Sequence, residues 1–101
     1  MDKYLIINAD DFGMCRAANL AVMDLLKSGS ITSSTIMAPC PWAYEACQFA
    51  KKNQQFAIGV HLTFTSEWAT YRWSPVGTSN TDSLRDELGF MHPESIDVEK
   101  N

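Results

Sequence analysis

An α/β chain with a parallel β-α-β-α-β core is the fold class this sequence predicts, and three observations predict it. Apolar runs of strand length alternate with stretches of helical periodicity, the connections between them are short, and the first strand ends abruptly in two adjacent carboxylates. Short crossovers between successive strands imply parallel pairing with right-handed connections. Ligand sites in such sheets lie beyond the carboxyl ends of the strands, which is where this charge is delivered.

The first element is Leu5-Ile6-Ile7-Asn8-Ala9-Asp10-Asp11-Phe12-Gly13. Three bulky apolar groups in a row suit a central strand, over 4–9, covered on both faces. Along a strand Asn8 and Asp10 share a face with Ile6, and Asp11 points away unless the chain bends there. Gly13 is placed to allow that bend. Converging carboxylates repel, and a divalent cation or a shared proton relieves them. The alternative is that one aspartate caps the following helix and the other is solvated.

From Cys15 to Ser28 the apolar residues Ala18, Val22, Leu25 and Leu26 recur at helical spacing, with Lys27 in the last turn and Gly29 as the stop. A β-branched stretch from Ser30 to Ala38 predicts the second strand, near 32–38, ended by Pro39 and Pro41. The second helix is expected over Trp42 to Asn53, with Trp42, Ala46, Phe49 and Ala50 as its apolar stripe and Lys51 and Lys52 at its C-terminal end. The third strand, Ala57 to Phe64, has two unlike faces. Ile58, Val60 and Leu62 are fit to pack under helices, whereas Ala57, Gly59, His61 and Thr63 form a small and increasingly polar face.

Beyond Phe64 the periodicity dissolves. Residues 67–80 mix Trp68, Tyr71 and Trp73 with Ser, Thr, Pro75 and Gly77, the composition of a functional surface loop. The three aromatics either form part of a wall on which sugar rings stack or fold back to cover the core. From Asp82 onward Leu84, Leu88, Phe90 and Met91 are the few anchors, enough for a short helix or a hairpin edge.

The chain has 101 residues, is 46% hydrophobic, and carries a formal net charge of −4 with no Lys/Arg cluster, which favours one domain and gives nucleic-acid or anionic-membrane binding no electrostatic support. No apolar run reaches bilayer length and no leader signature precedes the first strand, so a cytoplasmic location is expected. Cys15, Cys40 and Cys47 match neither a disulfide framework nor a metal knuckle and are expected to be buried thiols.

Asp10, Asp11 and His61 thus sit at carboxyl ends of predicted parallel strands. Aspartate and histidine suit Zn²⁺ and related divalent ions, and the second aspartate is available as a base. An acidic pair after a first strand also occurs in receiver-type signalling domains, but those place an aspartate where this chain has His61.

LIINADDFG, the helix carrying Asn19, SGSITSSTIM and GVHLTFT together resemble the N-terminal part of the YdjC/ChbG-type carbohydrate deacetylases, over most of residues 4–91. The resemblance implies a metal-dependent hydrolase, with Mg²⁺ or Zn²⁺, that removes acetyl groups from N-acetylated oligosaccharides on a (β/α)-barrel-like fold. It implies Asp10 as catalytic base and Asp11 and His61 as metal ligands. A further ligand histidine belongs to a later strand of that family, and His92 does not lie in its context. A full barrel takes roughly 200 residues, so the chain is expected to be an N-terminal fragment whose open sheet edge favours self-association.

Overall fold

The structure, a computed structural model, describes residues 1–77 and 79–100. The chain divides into two compact units, Met1–His61 and Leu62–Asn101.

The first unit has the predicted order: β1 (Asn8–Phe12), α1 (Arg16–Ser28), β2 (Ser33–Ile36), α2 (Ala43–Lys52) and β3 (Ala57–Val60). All pairing is parallel, in the spatial order β1-β2-β3. Cys15 opens α1, its thiol accepting the Ala18 N–H at 3.5 Å. Gly29 closes the helix in the left-handed conformation (φ 73°), which glycine adopts without a Cβ penalty. Val22 and Leu26 of α1 and Ala43, Ala46 and Phe49 of α2 close over Phe12, Ile31 and Ile36. Phe49 meets Phe12 edge-on at 6.0 Å and stacks on Phe56 at 5.9 Å.

Several expectations are corrected. β1 begins at Asn8, so Leu5 and Ile6 are exposed rather than buried on both faces. The ladder does reach back to Ile7, whose carbonyl accepts the Thr32 N–H at 2.8 Å, but no helix covers what precedes it. Leu25 and Trp42 are exposed, because α1 turns Val22 and Leu26 to the sheet and α2 starts only at Ala43. The first strand, expected to be central, lies at one edge of the sheet and β3 at the other, with β2 between them. Val60 and Leu62 are exposed as well, since the helical layer reaches only Ile58 of β3. Of the cysteines only Cys40 is buried; Cys15 is partly covered and Cys47 is exposed.

The second unit contains a 3-10 turn (Asp82–Leu84), an isolated antiparallel bridge between Arg85 and Met91, and a short helix, α3 (Ser95–Glu99). Its centre is Arg72, which bonds the Asp86 carboxylate at 2.8 Å and the Met91 carbonyl at 2.6 Å and lies over the Phe90 ring at 5.3 Å. Met91 is buried as an anchor should be, whereas Leu88 is exposed. No helix among the described residues is long and apolar enough to cross a membrane.

Candidate functional site

The site is built by a defect in β1. Asn8 pairs with Ser33 and Ala9 with Ser34, but Phe12 pairs with Ile36, so β1 spends three steps where β2 spends two. This is a β-bulge, a device that re-aims side chains. Asp11 takes up the extra residue with φ 62°, a left-handed conformation that aspartate tolerates better than most residues. Without the bulge, alternation would send Asp11 toward the helices with Ala9 and turn Phe12 outward. With it, Phe12 returns to the core and Asp11 swings to the opposite, polar face.

His61 arrives on that face from β3. Its backbone N–H donates to the Ile36 carbonyl at 2.9 Å, one step past the last named pair of the β2–β3 ladder, Ile36 with Val60. The imidazole Nε2 lies 3.5 Å from Asp11 Oδ1, with the side chains 28% and 50% exposed. The pair is thus open to solvent and to ligands. Asp10 is held on the same sheet face: Thr35 Oγ1 and Asn8 Nδ2 both donate to its Oδ1, at 2.9 and 2.6 Å. Ser33 Oγ donates in turn to Asn8 Oδ1 at 2.7 Å.

The turn after Asp11 is locked from below. Gly13 has φ 95°, and a Cβ there would meet the Ala43 Cα at 2.9 Å. The Gly13 N–H donates at 2.7 Å to Asn19 Oδ1, and Asn19 Nδ2 reaches the Trp42 carbonyl at 3.1 Å and Glu45 Oε2 at 2.9 Å. Asn19 is completely buried, and through it α1 ties the acidic turn to the start of α2.

The structure therefore brings Asp11 and His61 together and anchors Asp10 on the same face by different partners. It also removes the capping alternative, since the residue that caps α1 is Cys15. Among the described residues no group of three or more His, Cys, Asp or Glu side chains converges as a metal cluster. Sequence reading missed Thr35 and Ser33, although both alternate on one face of a strand as Asn8 and Asp10 do. Of the aromatic trio, Trp68 is 53% exposed and Tyr71 is partly covered, but Trp73 is only 2% exposed. Its indole N–H donates to the Thr65 carbonyl and its own N–H to Ser66 Oγ, so Trp73 is a core residue of the second unit, not an open stacking face.

A parallel α/β unit that brings an aspartate of β1 and a histidine just past β3 together at the sheet's carboxyl edge has them where sheets of this class hold their ligands. The chain belongs to the YdjC-like protein family, whose profile matches residues 4–100. It is 39% identical over 101 residues to a carbohydrate deacetylase of Enterococcus faecalis, covering 98% of this chain and 37% of that protein. It is 37% identical over 65 residues to the chitooligosaccharide deacetylase of Yersinia enterocolitica, covering 64% of this chain and 26% of the relative. A solved structure from Enterococcus faecalis, provisionally named a cellobiose-phosphate cleavage protein, superposes with a TM-score of 0.72 at 33% identity, over 94% of this chain and 36% of that one. The chain thus spans between 26% and 37% of the length of these relatives.

Proposed function

We propose that this chain carries part of the active site of a carbohydrate deacetylase that hydrolyses the acetamide of N-acetylated oligosaccharides. The observation that carries the reading is the Asp11–His61 pair, brought together by a bulge at the carboxyl edge of the sheet, in a chain whose relatives are named for that activity. The donor set fits a divalent ion. Oxygen and nitrogen ligands about 2.1 Å from a tetrahedral centre stand about 3.4 Å apart, and the two atoms here are 3.5 Å apart. Asp11 and His61 would hold Mg²⁺ or Zn²⁺, which supplies Lewis acidity toward an amide carbonyl and toward water. Two ligands leave the set incomplete, and the resemblance assigns the remainder to a histidine on a later strand.

Asp10 is the proton acceptor. Its carboxylate is presented from the sheet face that holds the pair, and a base must lie within hydrogen-bond reach of the water it activates. Trp68 offers an exposed ring for stacking on a pyranose. A barrel-like architecture would complete the sheet with further β-α units supplied by the full-length protein. The exposed Leu5, Ile6 and Val60 favour self-association of this chain taken alone.

The test uses the protein as its gene encodes it in full, incubated with N,N′-diacetylchitobiose and assayed for acetate. Asp10→Asn abolishes acetate release and leaves metal content unchanged, and His61→Ala lowers both. No acetate from the parent protein, with cellobiose phosphate cleaved instead, refutes deacetylation in favour of the activity for which the Enterococcus structure was named.

A further inference from the structure

The polar face of β1 and β2 carries more than the reacting carboxylate. We propose that Thr35, with Asn8, is a positioning residue that fixes the Asp10 carboxylate by one oxygen, Oδ1, and so reserves Oδ2 for the proton of the reacting water. This rests on the reading of Asp10 as proton acceptor.

Two donors converge on Oδ1, one from β2 and one from β1 itself: Thr35 Oγ1 at 2.9 Å and Asn8 Nδ2 at 2.6 Å. Neither donor is left to wander. The Asn8 amide is oriented by Ser33 Oγ at 2.7 Å on its Oδ1, and Asn8 and Ser33 face each other in the parallel register. Thr35 is β-branched and sits inside a strand, where its χ1 has few alternatives, so the direction of its hydroxyl is preset. Asp10 needs such support, because the torsion that turns a carboxylate about its Cβ–Cγ bond is broad and Asp10 is exposed on an open sheet face. Next to it the backbone leaves regular strand geometry at Asp11, so the ladder alone does not fix where the Asp10 side chain points. A misplacement of about 1 Å at a reacting group costs on the order of a hundredfold in rate.

A ladder that only stabilised the sheet would behave differently. Its loss would lower the melting temperature and leave the turnover of the folded protein unchanged, whereas loss of positioning leaves folding and substrate affinity in place and lowers kcat. In the full-length protein with N,N′-diacetylchitobiose, Thr35→Val lowers kcat by about tenfold or more with KM within about twofold, and Thr35→Ser, which restores the hydroxyl, recovers most of the loss. Asn8→Ala gives a parallel loss and serves as the second variant should Thr35→Val fold poorly. A kcat loss below about fivefold in both Thr35→Val and Asn8→Ala, or a Thr35→Ser no better than Thr35→Val, overturns the proposal. Asp10→Asn is measured beside them. Retained turnover there refutes Asp10 as the base itself, whereas inactive Asp10→Asn with unaffected Thr35→Val and Asn8→Ala refutes the positioning role alone.

Discussion

Replacing Asn19 with alanine tests whether a single buried amide holds the acidic turn in place. The change strips the Gly13 N–H of its 2.7 Å acceptor inside a buried environment, and leaving a buried donor unsatisfied costs about 1–3 kcal/mol. It also removes the amide's bonds to Glu45 and to the Trp42 carbonyl, together worth about 1 kcal/mol once discounted for the partial exposure of Glu45 and for the partners each acceptor keeps, Arg16 and the Ala46 N–H. The expected total is about 2–4 kcal/mol. A unit of the size of Met1–His61 has only about 3–9 kcal/mol in all at typical values per residue, so the variant should stand near the edge of folding. Urea unfolding followed by far-UV circular dichroism reads the difference. Asn19→Asp separates the acceptor from the donor contributions, because it keeps an acceptor for Gly13 but loses the donor to Trp42 and sets a second carboxylate beside that of Glu45. Repulsion and burial raise the folded-state pKa of the introduced carboxyl, so the folded state holds the proton more tightly than the unfolded chain. Stability of Asn19→Asp therefore rises as pH falls through that raised value and levels off near the ordinary carboxylate range. A loss below about 1 kcal/mol in Asn19→Ala, or a pH-independent deficit in Asn19→Asp, would refute the account of Asn19 as the clamp.

Gly13→Ala combines a positive φ with a Cβ driven against the Ala43 backbone, and it should cost more than the 1–3 kcal/mol of conformational strain alone, read as loss of soluble folded protein or a collapsed urea midpoint. Trp73→Ala should destabilise the protein by about 3–5 kcal/mol, while Trp68→Ala should change stability by less than about 0.5 kcal/mol; near-equal effects would contradict the placement of Trp73 in a core. Partial burial alone would push the Asp86 carboxyl up, but the Arg72 guanidinium and the Phe90 and Leu88 N–H groups together hold it below its ordinary value of 3.8. With the folded-state value depressed, that contribution is fully present above the ordinary value and is lost as pH falls through the depressed one. Acid titration of the parent against Asp86→Asn should show the parent losing more stability below pH 4, and parallel curves would remove the assignment.

The element order, the parallel sheet and the gathering of Asp10, Asp11 and His61 at its carboxyl edge were all legible in the amino-acid sequence, because each depends on local patterns. Helical spacing set α1 and α2, Gly29 stopped the first helix, and the apolar run before Asn8-Ala9-Asp10-Asp11 announced a strand ending in charge. That both acidic residues and His61 belong to strand ends followed from the same periodicity. Burial was less legible. Leu5, Ile6, Val60 and Leu62 are as apolar as any core residue, yet whether they are covered depends on which strands the helices reach, and that is set by packing at a distance in sequence. Trp68 and Trp73 stand five positions apart in one polar stretch, and only the hydrogen bonds from Trp73 to Thr65 and Ser66 separate an exposed ring from a buried one. The decisive geometry was tertiary too. Alternation alone places Asp10 and Asp11 on opposite faces, and the sequence could offer Gly13 only as a site where a bend is permitted. One extra residue in the β1–β2 register, with Asn19 pulling on Gly13 from α1, brought Asp11 to His61 and left Asp10 to Thr35 and Asn8, because register and buried hydrogen bonds join residues that local periodicity cannot connect.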